Sequence, residues 1–122
     1  MTQLPLSVTI ITLNEEANIE RALASVRWAA DVVVVDSGST DKTRELAEKM
    51  GARVFTNPWK GYGQQKNFAQ AQTLQEWVLN IDADEEVSTE LQSEIESILN
   101  SPTPHSGYQI PRKTFYLGQW IR

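Results

Sequence analysis

The sequence predicts an α/β fold, a mostly parallel sheet with helices on both faces. Three features predict it. Ser7 to Leu13 (SVTIITL) and the valine run Val32 to Val35 are short and rich in β-branched residues, as expected of strands covered on both sides. Segments with apolar residues at helical spacing separate such runs, which gives the βαβ succession that builds a parallel sheet through right-handed crossovers. The candidate strands also end in polar residues, at Thr12 to Glu16, Asp36 to Asp41 and Asp82 to Asp84. Ligands of open parallel sheets gather beyond the carboxyl ends of the strands.

After the first strand, Asn14 is expected to cap a helix, with Glu15 and Glu16 at its positive end. That helix carries Ile19, Ala22, Leu23 and Val26 on one stripe. The valine strand ends at Asp36, and Ser37-Gly38-Ser39-Thr40-Asp41 punctuates and caps the next helix. Thr43, Leu46, Ala47 and Met50 line one side of it, and Gly51 fits its C-terminal stop. Ala52 to Phe55 reads as a short strand and Asn57-Pro58 as a turn. Gly61 to Asn67 starts as a mobile loop and turns helical, with Phe68 and Ala71 toward the core. Trp77 to Ile81 is a buried strand that runs into Asp82-Ala83-Asp84-Glu85-Glu86. Ser88 is expected to cap a helix bearing Val87, Leu91, Ile95 and Ile98. Asn100 to Ser106 is a Pro-rich break and Tyr108 to Ile110 a further strand, while Arg112 to Arg122 carries no assignable element.

Composition narrows the function classes. At 122 residues with 40% hydrophobic content the chain is one globular domain. A net charge of −5 argues against nucleic acid as a partner. The absence of cysteine excludes disulfides, zinc-thiolate sites and cysteine nucleophiles. No apolar run is long enough to span a membrane and no leader is evident, so the expected location is cytoplasmic. Lysine and arginine are missing between Lys66 and Arg112, the interval that holds Glu76, Asp82, Asp84, Glu85, Glu86, Glu90, Glu94 and Glu96. An acidic half beside a basic stretch could hold a metal and a polyphosphate together; a solvated acidic helix explains part of the same pattern.

The acids after the Trp77 strand are the most informative. Carboxylates cannot be buried unpaired without several kcal/mol of cost, so packing does not explain Asp82 and Asp84. At a sheet rim, one suits a hydroxyl-rich ligand and the other a hard cation such as Mg²⁺ or Mn²⁺; a solvated loop is the alternative reading of the same stretch. Asp36 admits two readings, recognition of a base N–H or sugar hydroxyl, and an Asx-turn. No Gly-x-Gly-x-x-Gly follows the first strand and no phosphate-binding Gly-Lys loop is present. Gly61-x-Gly63 is weak alone; Lys66 beside it can reach a phosphate as a point charge, and a solvated lysine is the equal alternative. The single histidine, His105, cannot support a histidine metal cluster. Among the tryptophans, Trp59 and Trp120 have loop-like surroundings compatible with exposure.

Four blocks together resemble the family 2 inverting glycosyltransferases: Thr9 to Glu15 (TIITLNE), Val35 to Asp41 (VDSGSTD), Gly61 to Asn67 (GYGQQKN) and Asn80 to Glu85 (NIDADE). Within that family the chain looks most like the bacterial lipopolysaccharide core glycosyltransferases that add glucose to inner-core sugar, and the match runs from Val8 to Arg122. The resemblance implies the N-terminal part of a GT-A nucleotide-diphospho-sugar transferase. It implies that Thr12, Asn14, Glu15 and Asp36 hold base and ribose, and that Lys66 and Asn67 contact nucleotide and diphosphate. Asp82 is then the contact to ribose or sugar and Asp84 the ligand of Mg²⁺ or Mn²⁺. The implied partners are a UDP-sugar donor and a lipid-linked saccharide acceptor, hence peripheral association with the inner face of the cell membrane.

The chain departs from the family pattern in length. Pro111 to Arg122 contains no acid, so no residue is assigned as general base. Residues 1–122 are expected to form a nucleotide-sugar-binding domain, with 101–122 an incomplete start of the acceptor side. Metal-assisted transfer with inversion and a nucleotide-binding or interaction module without transfer both fit that organisation.

Overall fold

The computed structural model describes residues 3–99 and, as backbone, 113–116. Strands β1 (Leu4–Thr12), β2 (Ala29–Asp36), β3 (Arg53–Thr56), β4 (Trp77–Asp82) and β5 (Lys113–Tyr116) form one sheet in the order β3-β2-β1-β4-β5. Every pairing is parallel. Helices α1 (Ile19–Ala24), α2 (Thr43–Lys49), α3 (Tyr62–Ala71) and α4 (Thr89–Leu99) alternate with the strands. The chain steps outward from β1 to β2 and β3, then returns through α3 to place β4 on the other side of β1. After that reversal α3 packs on the opposite face of the sheet from α1 and α2.

Strand alternation sorts the core accordingly. Leu6, Val8, Ile10, Val34, Leu79 and Ile81 pack under α1 and α4 with Ile19, Leu23, Leu91 and Ile95. Val33 and Val35 face the other way, toward Ala69 of α3, with Phe55 and Phe68 beside them. This explains the run of valines: Val33, Val34 and Val35 are fully buried although they point to alternate faces of β2. Ile19 is fully buried, and truncating it to alanine is expected to cost about 2–5 kcal/mol.

At the amino ends of the strands a charged cluster closes the sheet. Asp31, 6% exposed, receives Arg53 Nε at 3.0 Å and Nη2 at 3.1 Å, Ser7 Oγ at 2.7 Å and the Leu74 amide at 3.0 Å. Arg53 Nη2 also donates to the Gln72 carbonyl at 2.7 Å. A bidentate guanidinium is the strong form of this contact. It joins β1, β2 and β3 to the segment that follows α3.

Several expectations change. Asn14 does not cap α1, which begins four residues after Glu15 with Asn18 at its N-cap. Asn14 adopts a left-handed φ of 54°, which asparagine tolerates better than most residues. Its side chain instead accepts the Thr40 amide at 2.9 Å. On α3 the buried positions are Gln65 and Ala69; Ala71 is exposed. Phe68 is half-buried against β2 and β3 as expected. Ser88 does serve α4, its Oγ accepting the Leu91 amide at 3.1 Å. The fifth strand is Lys113–Tyr116, where the sequence offered no element. The expected break at Asn100 to Ser106 and strand at Tyr108 to Ile110 lie outside the described residues, as does most of 101–122.

Candidate functional site

The reversal of strand order falls between β1 and β4, where Ile11 is paired with Asp82. A cleft of about 380 Å³ opens there, lined by Ile11, Thr12, Leu13, Glu15, Ser37, Trp59, Tyr62 and Asp82. Three strand ends and the start of α3 therefore contribute to one crevice. Leu13, Trp59 and Tyr62, all about half exposed, are three of the four exposed large hydrophobic residues among those described. Their convergence on one cleft marks a ligand surface more than scattered exposure does.

Asp36 lies beneath this cleft with no exposed surface. Thr12 Oγ1 donates to its Oδ1 at 2.7 Å, and the Gly38 and Ser39 amides donate to Oδ2 at 2.9 and 2.6 Å. The Ser39 hydroxyl donates to Oδ1 as well, and Arg44 Nε stands 3.8 Å from Oδ2. Burial pushes the Asp36 carboxyl up, but the donors on Ser39, Thr12 and Gly38 outweigh it and hold it below its usual range. The Asx-turn geometry is thus present, and it fixes the Ser37–Thr40 loop against the end of β1.

Asn14 extends the same lacing. Its amide donates to Ser39 Oγ at 2.8 Å and the Glu15 amide to Thr43 Oγ1 at 2.8 Å. Glu15 stays half-buried on the cleft wall.

The β4 end forms a tight turn. Glu85 N–H donates to the Asp82 carbonyl at 2.9 Å, and Asp82 N–H to Glu85 Oε1 at 2.7 Å. Ala83 is buried and anchors the turn, while Asp82 and Asp84 are exposed. Burial holds the Glu85 carboxyl above its usual range; the charges of Asp82 and Asp84 push the same way, against the Asp82 N–H and Lys66. Tyr62 O–H donates to Asp82 Oδ1 at 3.0 Å. Lys66 Nζ sits 4.8 Å from the centre of the Tyr62 ring, a cation–π distance.

Of the residues predicted for binding, Thr12, Glu15 and Asp82 line the cleft and Asp36 supports it. Asn14 works as a loop fastener. Lys66, Asn67 and Asp84 lie outside the lining, Lys66 packed on Tyr62 and Asn67 exposed on α3. The sequence did not single out Ile11, Leu13, Ser37 or Tyr62 as binding residues, nor Gln65 as a buried polar group. Tyr62 sits between Gly61 and Gly63, a signal that could have been followed; Gln65 has no local signal.

Among the described residues no three histidine, cysteine or acidic side chains are placed to hold a metal by themselves. Asp82 and Asp84 nevertheless offer exposed hard oxygen donors at the rim. Such a set fits Mg²⁺ or Mn²⁺ that completes its shell with ligand phosphate oxygens and water.

A parallel α/β sheet with its crevice at the strand-order reversal is of the open, doubly wound type, in which ligands bind at that switch point. The family follows from the sequence match: residues 7–118 fit the model of glycosyl transferase family 2, and the chain belongs to that family. A glycosyltransferase of Rickettsia bellii is 55% identical over 108 residues, covering 86% of this chain and 37% of its own length. The lipopolysaccharide core biosynthesis glycosyltransferase LpsC of Rhizobium meliloti is 38% identical over 121 residues, covering 95% of this chain and 45% of its own. The chain thus spans less than half the length of these relatives. Glucosyl-3-phosphoglycerate synthase from Mycobacterium tuberculosis, solved with Mn²⁺, UDP and glucosyl-3-phosphoglycerate, superposes with a TM-score of 0.65 at 28% identity, over 81% of this chain and 41% of that one. Mannosyl-3-phosphoglycerate synthase from Rubrobacter xylanophilus shares the fold, with a TM-score of 0.68 at 22% identity. The expected GT-A architecture is therefore the one observed.

Proposed function

We propose that this chain is the donor-binding part of a metal-assisted, inverting glycosyltransferase that moves glucose from UDP-glucose to a lipopolysaccharide core acceptor. The observation that carries this reading is the single cleft at the β1–β4 reversal, with an apolar wall at Leu13 and Trp59 and a carboxylate wall at Asp82. An amphipathic crevice of this kind suits a nucleoside, with the base against the apolar wall and ribose hydroxyls toward acceptors. Likeness to the UDP-bound and Mn²⁺-bound synthase supports the donor and cation classes, and likeness to LpsC supports the acceptor class.

In this reading Thr12 and Glu15 contact the base and ribose. Asp36 and Asn14 hold the loops that present them. Asp82 accepts from ribose or sugar hydroxyls, and Lys66 and Asn67 face the diphosphate from α3. Asp84 would hold Mg²⁺ or Mn²⁺, which supplies positive charge where the diphosphate leaving group gains negative charge. Lys66 adds a second positive charge on that side. Inversion needs an acceptor hydroxyl attacking from the face opposite the leaving group, with a carboxylate base. That base is not assigned to any residue of this chain. Among the described residues no helix is long and apolar enough to cross a membrane, and the proposed association with the inner membrane face rests on the acceptor alone.

Titration calorimetry with UDP and then UDP-glucose, each with and without Mn²⁺, tests the reading. Saturable binding strengthened by Mn²⁺ is expected. Absence of heat at millimolar nucleotide with Mn²⁺ would refute it. Binding of UDP-glucose without release of free UDP in the presence of any saccharide acceptor, in a chain of the relatives' full length, would leave a nucleotide-binding module in place of a transferase.

A further inference from the structure

Gln65 is a fully buried side-chain amide on α3. An amide buried without partners costs about 1–3 kcal/mol, and an apolar residue of similar volume would fill the space at no such risk. Its partners are all at strand ends. Nε2 donates to Ser37 Oγ at 3.1 Å and to the Asn57 carbonyl at 2.9 Å, and Oε1 accepts from Asn57 Nδ2 at 2.8 Å.

Ser37 and Asn57 are themselves fastened to neighbouring strands. Ser37 N–H donates to the Thr12 carbonyl and Asn57 N–H to the Asp36 carbonyl, each at 2.9 Å. Gln65 therefore joins the loops after β2 and β3, and through them the end of β1. Three residues earlier on the same helix face, Tyr62 reaches Asp82 at the end of β4. The Ser37 wall, through Gln65, and the Tyr62–Asp82 wall of the cleft are both referred to one helix, α3.

We infer that Gln65 is a positioning residue that fixes the spacing of the nucleotide cleft by tying Ser37 and Asn57 to α3. The inference rests on the donor-binding reading for its functional consequence, and it is separable from that reading by experiment. Gln65 has no exposed surface, so it acts through Ser37 and does not touch ligand.

The test compares Gln65→Met, which keeps volume and removes every hydrogen bond, with Gln65→Glu, which keeps an acceptor for Asn57 and loses both donors. Amide hydrogen exchange is read by NMR on the unliganded chain. Exchange at Ser37 and Asn57 is expected to rise at least ~10-fold in both variants, the scale of one lost hydrogen bond. The Leu4 amide, bonded to Trp28 at the opposite pole, should not change. UDP–Mn²⁺ affinity should fall about tenfold in each variant. Combined with Ser37→Ala, the losses should not multiply, because both act on one contact. Unchanged exchange at Ser37 and Asn57 overturns the inference, and so does wild-type nucleotide affinity or simple multiplication with Ser37→Ala. If the parent chain binds no UDP, the donor-binding reading fails while the exchange data still decide whether Gln65 sets the spacing. If Gln65→Met does not fold, Gln65→Glu supplies the same readouts.

Discussion

Strand β2 carries a buried aspartate at each end, and the two are treated differently. Asp31, at the amino end, is neutralised by a bidentate arginine and closed over by Ser7 and Leu74. Asp36, at the carboxyl end, is held mainly by hydroxyls and backbone amides, with Arg44 at a looser 3.8 Å. The first arrangement leaves nothing for a ligand and joins elements of the sheet. The second shapes a loop beside an open cleft. One pole holds the fold and the other opens on the cleft proposed to bind the donor.

Variants should separate the two poles in a crossed pattern. The largest effect is expected at Asp84. Asp84→Asn should lower metal-dependent turnover at least ~100-fold, the scale of a lost electrostatic contact in the transition state, with the melting temperature unchanged. Unaltered turnover and metal affinity, measured in a chain of the relatives' full length, would remove Asp84 from the site.

At the other pole, Arg53→Ala leaves Asp31 buried and unpaired. The full penalty for breaking a buried pair is about 3–5 kcal/mol, but the Arg53 side chain is 39% exposed, so about 2 kcal/mol is expected. Denaturant unfolding should show that loss, while nucleotide affinity of the folded fraction stays as in the parent. A fall in affinity without a fall in stability would break the comparison.

Asp36→Asn should affect both properties moderately, because an amide nitrogen would face the Gly38 and Ser39 donors. A stability loss of about 1–2 kcal/mol is expected, with weaker UDP binding. The sign with pH follows from its depressed pKa. Asp36 contributes its stability above the unfolded value of about 3.9, and that contribution is lost as pH falls through the lower folded value. Acid titration of unfolding should therefore be shallower below about pH 4 in Asp36→Asn than in the parent; identical acid limbs would contradict the buried hydrogen-bonded carboxylate. The smallest effect belongs to Trp59→Ala, expected to weaken UDP about 5–10-fold through lost stacking while leaving pyrophosphate binding and stability intact. Equal loss for pyrophosphate would place the base elsewhere.

Much of this architecture was legible because it is local. The valine run announced a strand covered on both faces, and the helical stripe of Ile19, Ala22, Leu23 and Val26 is buried as its spacing required. The acid pair after β4 announced a rim. What escaped was long-range. Asn14 looked like a helix cap because capping is read from neighbours in sequence, yet its partner Thr40 lies 26 positions away. Gln65 reads as an ordinary helix residue until Ser37 and Asn57 are brought beside it. Tyr62 and Trp59 became cleft residues only when α3 crossed back over the sheet to β4. Lys113–Tyr116 was overlooked as a strand because its pairing partner, β4, supplies the register that its own pattern lacks.

The division between the poles is tested most directly by Mn²⁺ itself, whose unpaired electrons broaden nearby NMR signals. With UDP and substoichiometric Mn²⁺, the amides of Asp82, Asp84 and Glu85 should broaden first, and those of Asp31, Arg53 and Leu74 should stay sharp. Selective broadening along α4 at Glu90, Glu94 and Glu96, or equal broadening at both poles, would contradict a donor site at the β1–β4 reversal.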